Sequence, residues 1–226
     1  MVGEKGYVSL QLTAKGDGGH SSTPSRNSAI GRLARGLARL DTQPLPAQLI
    51  EPVGTMLDQL APHMGWLNRF FIANRWLFEP LLLDSLASSR TTNALIRTTT
   101  APTMLRAGVK DNVLPSTASA TVNFRILPGQ TIESVTDAVR GLIDDPAVTI
   151  EPIDVFGSNP PPLSDASSAA FMRIRAAIHR SFPEAVVASG IILATTDNRH
   201  YAAVRDNAYY FAPFEYTADF LSLIPL

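Results

Sequence analysis

One segment of the chain, Ala118 to Ile126, alternates apolar and polar side chains without interruption. The apolar set is Ala118, Ala120, Val122, Phe124 and Ile126, and the polar set is Ser119, Thr121, Asn123 and Arg125. A period of two indicates a β-strand with one buried face. Residues 7–14 alternate in the same way. The chain must therefore build a sheet that buries one face against another layer.

The elements around these two strands predict the order of the fold. Apolar residues at helical spacing indicate two helices, one capped by Asn27 or Ser28 and one capped by Thr131. Two further strands are predicted, at Ala94–Leu105 and at Val148–Ile150. The resulting order βαββαβ predicts an α+β fold of the ferredoxin-like type. Such a unit has a four-stranded antiparallel sheet and two helices.

Residues 43–92 interrupt this unit with a long insertion that we expect to be helical. The insertion is rich in large apolar side chains, among them Trp66, Phe70 and Trp76. Two interpretations are open. The insertion forms a small helical core packed on the sheet or on a neighbour, or it covers an apolar substrate.

A second region follows the stiff connector Ser158-Asn159-Pro160-Pro161-Pro162. Phe171, Ile174, Ile178 and Phe182 recur at helical spacing and predict a helix. Short apolar runs follow at residues 185–193 and 209–214. This region is too short to bury a core of its own, so we expect it to be part of a larger domain.

Composition excludes several classes of function. The chain has no cysteine, which rules out disulfides, thiol catalysis and thiolate metal sites. Its net charge is -1 without a run of Lys and Arg, so nucleic acid is not an expected partner. No apolar stretch has the length of a membrane span, and the first residues do not resemble a secretory signal. A cytoplasmic location is expected only if this is the whole product.

The titratable residues do not form a hydrolytic centre. A catalytic zinc site takes about three His or carboxylate ligands, usually in close pairs on rigid elements. The four histidines, His20, His63, His179 and His200, have no acid or second histidine two or four residues later. A Gly-x-Ser-x-Gly elbow is absent as well. We therefore predict no complete metal site and no serine nucleophile in this chain.

Three polar residues remain as candidates for recognition. His20 lies in a glycine-flanked loop, where it could donate to a carbonyl or an oxyanion. Arg125 lies on the polar face of the clearest strand and could anchor a carboxylate. Asn112 precedes that strand. Each also has a plain structural interpretation: a surface histidine, a solvated arginine and a turn residue.

Taken together, these segments resemble the zinc-dependent amidohydrolases of metallopeptidase family twenty, the aminoacylase and carboxypeptidase group. The resemblance to the dimerisation (lid) domain rests on Gly18–Ser22, Asp111–Pro115 and Asn123–Gly129, in order and spacing. Thr196–Tyr201 resembles a later stretch of the catalytic domain. The insertion and the segment Arg97–Thr103 point to the carboxypeptidase S-like branch, which includes N-acyl amino acid hydrolases.

The resemblance implies roles for four residues. His20 would reach the active site of the partner subunit and polarise the scissile amide carbonyl. Asn112 would contact substrate, Arg125 would hold the substrate carboxylate, and Thr196 would line the site. The family also implies zinc, a homodimer formed through the lid, and a small peptide or N-acyl amino acid as substrate.

The chain departs from the family pattern where the metal is bound. The family's His-x-Asp, bridging Asp and Glu-Glu ligands precede the lid and are not found here. Its final Ile-His-Gly-type histidine is not found either, since the chain ends Phe220–Leu226. The paired glycines before the Thr-Asp step are replaced by Ala194-Thr195. We therefore expect a fragment or a truncated reading frame.

These observations lead to a domain division and to two hypotheses of function. Residues 1–6 would be the tail end of a catalytic-domain strand or linker, 7–156 the lid with its insertion at 43–92, and 157–226 an incomplete α/β catalytic segment. The first hypothesis is the C-terminal portion of a zinc-dependent peptidase or amidohydrolase, inactive alone, that cleaves an amide next to a free carboxylate. The second is a non-catalytic dimerisation module that pairs with a full-length relative.

Overall fold

The computed structural model describes residues 1–153 and 157–211. The strands are β1 Gly3–Glu4, β2 Gly6–Lys15, β3 Gly19–His20, β4 Thr99–Ala107, β5 Val113–Leu114, β6 Thr117–Ile126, β7 Val148–Pro152 and β8 Ile191–Ile192. The α-helices are α1 Ala29–Thr42, α2 Glu51–Leu60, α3 Trp66–Ala73, α4 Arg75–Ala87, α5 Arg90–Ile96, α6 Ile132–Ile143 and α7 Ala169–Ser181. Two 3₁₀ segments, Ala61–His63 and Asp197–Val204, complete the described elements.

A four-stranded antiparallel sheet forms the centre of the molecule, in the order β4-β6-β2-β7. With β2, α1, β4, β6, α6 and β7 taken in sequence order, this is the ferredoxin-like topology that the sequence predicts. The two longest strands pair along their whole length, from Gly6 with Ile126 to Lys15 with Thr117. The predicted α+β class and four-stranded sheet are therefore confirmed.

The two faces of this sheet differ as the alternation predicts. The side chains of Leu10, Leu12, Val122 and Phe124 have no exposed surface, and they pack with the buried stripes of α1 and α6. The opposite face carries half-buried polar side chains, including Asn123 and Arg125. One face is thus the core, and the other is available for contacts with other groups.

The helix boundaries follow the capping chemistry. Ser28 caps α1 through a hydrogen bond from Gly31 N to Ser28 Oγ, 3.2 Å long. Thr131 caps α6 as predicted and forms a reciprocal capping box with Ser134. At the other end of α6, Asp144 adopts a left-handed conformation and Asp145 pairs with Arg32. Asp145, at this helix end, is therefore held by an ion pair to α1.

The predicted strand from Ala94 to Leu105 is wrong in its first part. Residues 94–96 belong to α5, and the strand begins at Thr99. The side chain of Ile96 has no exposed surface, because it fills the core of the insertion with Val53, Leu127 and Ile191. Burial in this second core keeps the segment helical until Arg97, and β-branched threonines then favour the strand.

The insertion is helical from α2 to α5, so its helices extend past residue 92. It forms a small core of its own around Val53 and Ile96. A separate side of it exposes Trp66 and Trp76, which are 78% and 79% accessible. The helical-core interpretation thus describes the inner side of the insertion, and the exposed aromatic side remains without an assigned contact.

The two ends of the described chain meet beside the sheet. β1 pairs in parallel with β8, Gly3 with Ile191 and Glu4 with Ile192. The predicted helix is present as α7, and Phe171 packs on Tyr209 with ring centroids 5.5 Å apart. The run at residues 209–214 continues past the described residues. Residues 220–226 and the expected domain boundary at residue 156 lie outside them.

Glycines at both ends of β2 permit close approaches of the backbone. A Cβ atom on Gly6 would lie 2.6 Å from Ser158 O, where the connector crosses the start of the strand. A Cβ atom on Gly16 would lie 2.3 Å from Ala29 N, where the His20 loop passes the first turn of α1. Both positions therefore require glycine to hold the loops that carry the candidate site.

Candidate functional site

His20 lies in a short two-stranded sheet beyond the end of the main sheet. β3 pairs with β5, which places His20 opposite Val113. A hydrogen bond of 3.1 Å from Ser21 N to Asn112 O extends this pairing. His20 and Asn112, which are far apart in sequence, are therefore held next to each other on the same projection.

The hydrogen bonds of His20 define which ring nitrogen faces outward. Ser22 N donates to Nδ1 at 3.2 Å, and the Ser22 hydroxyl lies 2.8 Å from the same atom. A backbone N–H needs an acceptor, so this geometry favours the tautomer with the proton on Nε2. The exposed ring then presents an N–H donor, which is the group needed to polarise a carbonyl oxygen.

Asn112 adds a second polar group to this projection. Its side-chain oxygen is buried without a hydrogen-bond partner among the described residues. Buried acceptors are usually paired with a protein group, a ligand or an ordered water. The predicted substrate contact of Asn112 is compatible with this observation.

Arg125 lies at the opposite end of β6, half-buried on the open face of the sheet. Its guanidinium carbon is 4.9 Å from the centroid of the Tyr7 ring, which is within cation–π range. Its one hydrogen bond within the described residues runs from Nη1 to Thr195 Oγ1, 3.4 Å long. A guanidinium has five N–H donors, so most of its capacity is available to a carboxylate.

Thr196 lies beside this group, but its donors are already used. Its backbone N–H and its hydroxyl both donate to Glu4 Oε2, at 2.8 and 2.6 Å. The same hydroxyl oxygen accepts from Asn198 N at 3.2 Å, which caps the following 3₁₀ segment. In this conformation Thr195, rather than Thr196, contacts Arg125.

Two buried charged residues near Arg125 were not identified from the sequence. Glu4 and Lys5 have no exposed surface. Lys5 Nζ donates to Arg97 O at 2.7 Å, and Lys5 O accepts from the Thr195 hydroxyl at 3.1 Å. Burial, with a smaller contribution from the Arg125 charge, lowers the pKa of Lys5 to about 7. A Glu-Lys dipeptide near the start of a chain has no pattern that signals burial.

Tyr210 completes the surroundings of Glu4. Burial raises the pKa of the Tyr210 hydroxyl, and the nearby Glu4 carboxylate raises it further. The Arg125 end of the sheet is thus a polar cluster built from β1, β2, β6 and the segment around Thr196.

The two candidate groups are far apart within one chain. Thr117 and Arg125 are eight positions apart on β6, which corresponds to about 27 Å along an extended strand. His20 lies beyond the Thr117 end, because it pairs with Val113. The structure therefore brings His20 together with Asn112, and Arg125 together with Thr196, as two separate groups.

The described residues do not fit a zinc ion. They contain no group of three or more His, Asp or Glu side chains with the spacing of a metal site. The exposed ring of His20 has no acidic neighbour within salt-bridge distance in this part of the chain.

Among the helices in residues 1–153 and 157–211, none has the length and apolar character to cross a membrane.

Comparison with known proteins finds a family model and curated relatives that match most of this chain. The model of the peptidase dimerisation domain of M20 peptidases matches residues 2–151. The chain is 38% identical over 212 residues to a probable carboxypeptidase S-like 2 of Dictyostelium discoideum, covering 94% of this chain and 40% of that protein. It is 37% identical over 214 residues to the N-fatty-acyl-amino acid synthase/hydrolase PM20D1 of Bos taurus, covering 94% and 42%.

Solved structures share the fold. An M20 family metallo-carboxypeptidase from Sulfolobus solfataricus superposes with a TM-score of 0.59 at 15% identity, covering 91% of this chain and 57% of that one. Human carnosine dipeptidase 1 superposes with a TM-score of 0.54 at 12% identity, covering 90% and 47%. The chain spans 40 to 42% of the length of the two curated relatives above. From its match to the dimerisation domain and its identity to these relatives, this chain belongs to the M20 peptidase family.

Proposed function

We propose that this chain is the dimerisation and carboxylate-recognition portion of an M20 hydrolase that cleaves an amide or peptide bond next to a free carboxylate. The carboxypeptidase and N-acyl amino acid hydrolase types both fit this description. The observation that carries the proposal is the separation of two complementary groups, His20 with Asn112 and Arg125 with its neighbours, at opposite ends of one strand.

The register of the sheet supports a dimer that unites these groups. β4 forms an edge of the sheet, with Thr99 opposite Arg125 and Ala107 opposite Ala118. An isologous interface pairs identical edges antiparallel about a twofold axis. The Ala107 end of one β4 would then lie beside the Thr99 end of its partner. The chain continues from the Ala107 end into β5, which pairs with the β3 strand that carries His20.

In this dimer each composite site uses two chains. Arg125 of one chain would bind the substrate carboxylate through its free N–H donors. His20 of the other chain would donate from Nε2 to the scissile carbonyl oxygen as negative charge develops there. Asn112 would supply a further contact from the same β3–β5 projection.

The proposed domain division follows the same logic. Residues 7–156 would form the lid, and 1–6 with 157–226 would be parts of the catalytic domain, joined through the β1–β8 pair. Zinc, which the family resemblance implies, would be bound by residues other than those described here. We therefore propose that the purified chain is inactive by itself.

A mixed dimer tests this proposal. The full-length Dictyostelium relative, with the residue that aligns with His20 replaced by alanine, would be mixed with this chain and assayed for amide hydrolysis. We expect the chain to restore activity and the His20→Ala chain not to restore it. Hydrolysis by this chain alone with added zinc, or equal rescue by both chains, would contradict the proposal.

The non-catalytic dimerisation module is the second candidate, and it rests on the free β4 edge together with the lack of a metal cluster in the described part. The same mixture separates the two candidates. A regulatory module would form the mixed dimer and alter the activity of the intact relative, but it would not rescue the alanine variant through His20.

A further inference from the structure

Two basic side chains at the Arg125 end of the sheet form no ion pair in the described residues. Arg125 projects from β6, and Lys5 follows β1, near enough for the Arg125 charge to contribute to the lowered pKa of Lys5. The ion pairs within residues 1–153 and 157–211 join Arg32 to Asp145, Arg75 to Asp58 and Arg140 to Asp137. None of these pairs includes Arg125 or Lys5.

The acidic residue that precedes Lys5 in the chain does not pair with it. Glu4 accepts both hydrogen bonds from Thr196 through Oε2, and its Oε1 has no partner in the described residues. The Arg97 carbonyl accepts from Lys5 Nζ, whereas the Arg97 guanidinium donates to Leu45 O at 3.0 Å. The charged groups around Lys5 are therefore Arg125 and a Glu4 carboxylate that forms no ion pair with it.

Burial of the Lys5 ammonium is energetically unfavourable. Its side chain has no exposed surface, and its ammonium makes one hydrogen bond in the described structure, to Arg97 O. A buried charge is costly unless it is paired. A like charge at Arg125 adds to the cost, so an anion bound beside Arg125 would relieve both.

We propose that Lys5 is a second cation of the Arg125 anion site, and that it takes up a proton from solvent when a carboxylate binds at Arg125. Lys5 does not touch the ligand, because it is fully buried. It acts through the electric field and through its carbonyl, which holds Thr195 against Arg125. This inference rests on the proposed carboxylate site, and it adds a residue and a proton to it.

The proposal predicts how binding depends on pH. In the free chain Lys5 loses its proton near pH 7. A nearby carboxylate favours the charged form, so the bound chain keeps this proton to higher pH. Above pH 7 the affinity for carboxylates falls by up to about tenfold per pH unit, until the bound form also loses the proton.

The chain has three lysines, Lys5, Lys15 and Lys110, which permits a direct measurement. Lysine labelled with ¹³C at Cε would give three NMR signals, and the exposed Lys15 and Lys110 are internal controls. We expect the Lys5 signal to titrate near neutral pH in the free chain. Saturating N-acetylglycine should raise its midpoint by about one pH unit or more and leave the other two unchanged.

This measurement needs no variant of a buried residue, so misfolding cannot confuse it. An unchanged Lys5 midpoint with N-acetylglycine would overturn the proposal, and so would a Lys5 midpoint equal to those of Lys15 and Lys110. The substitution Arg125→Gln tests the proposed carboxylate site separately from the response of Lys5. If this variant keeps the full Lys5 response, the carboxylate binds elsewhere and the Arg125 anchor of the proposed function fails. If the response is lost, both stand.

Discussion

Glu4 accepts two hydrogen bonds from Thr196 through a single carboxylate oxygen, although the two residues are 192 positions apart. The carboxylate is fully buried, and its other oxygen has no partner in the described residues. This contact joins β1 to the segment that reaches Arg125 through Thr195. It therefore ties the first residues of the chain to the candidate site.

Replacing Glu4 with alanine tests the strength of this tie. The change removes the acceptor for both Thr196 donors, which then lie partly buried without a partner. We expect the free energy of unfolding to fall by about 2–3 kcal/mol, as for hydrogen bonds to charged groups. Urea unfolding followed by far-UV circular dichroism measures it.

The matched control is Glu151→Ala, because Glu151 is exposed on β7. It should change the free energy of unfolding by less than about 0.5 kcal/mol. Equal effects of the two substitutions would show that the Glu4 contact contributes nothing specific.

The sheet could be predicted from sequence because its signals are local. The alternation at Ala118–Ile126 and the caps at Ser28 and Thr131 each specify an element within a few residues. The alternation pattern predicts the start of β4 too early, at Ala94. Ile96 is held in the helix by packing with Val53 and Ile191, and these contacts leave no local pattern in the sequence. Tertiary burial decided that boundary.

The site divides in the same way. His20, Asn112 and Arg125 stand in motifs that the sequence displays. Glu4 and Lys5 become visible only when β1 pairs with β8 and places them beside Thr195 and Thr196. Residues whose importance comes from partners nearly two hundred positions away carry no signal in their own neighbourhood.

The free edge of β4 makes a prediction about assembly. Leu105 lies on this edge strand and is 66% exposed, so a glutamate there would place charge on the proposed interface. We expect Leu105→Glu to convert a dimer into a monomer of 24.4 kDa, measured by light scattering. Thr149→Glu, on the opposite edge strand, should leave the dimer intact. A monomeric parent chain would contradict the proposed interface.

The ion pair of Arg32 and Asp145 makes a prediction about acid stability. Asp145 Oδ1 and Oδ2 accept from Arg32 Nη1 at 2.6 and 2.8 Å. The hydrogen bond from Ala147 N and then the Arg32 contacts lower the pKa of Asp145. Its stabilisation is therefore present above the unfolded pKa and is lost as the pH falls through the lower folded value.

Asp145→Asn should accordingly cost about 1 kcal/mol at pH 7 and much less near pH 2. Urea midpoints at the two pH values measure the difference. Asp137→Asn is the control, because its pair with Arg140 is more exposed and should cost less than about 0.5 kcal/mol. A cost for Asp145→Asn that is independent of pH would contradict the assignment.

The insertion provides a matched pair of apolar truncations. Ile96 is fully buried in the insertion core, whereas Trp76 is 79% exposed. Ile96→Ala should lower the free energy of unfolding by about 2–4 kcal/mol. Trp76→Ala should change it by less than about 0.5 kcal/mol. A large loss of unfolding free energy for Trp76→Ala would show that another group covers the Trp76 side chain. If that group belongs to a second copy of the chain, the effect of the substitution should decrease when the protein is diluted.

The burial of Lys5 leads us to predict that the free energy of unfolding rises with pH above neutrality. Burial lowers its pKa from 10.5 to about 7, so between these values the unfolded chain binds a proton that the folded chain does not. The free energy of unfolding then increases with pH, by up to about 1.4 kcal/mol per unit. Lys5→Met should remove this slope and be the more stable protein at pH 6. Lys15→Met should retain the slope. Burial also lowers the pKa of the Met1 amine, and its contribution to the pH dependence should be the same in every variant. Parallel urea titrations from pH 6 to 9 decide the matter, since equal slopes for Lys5→Met and the parent would mean that Lys5 keeps its proton on folding.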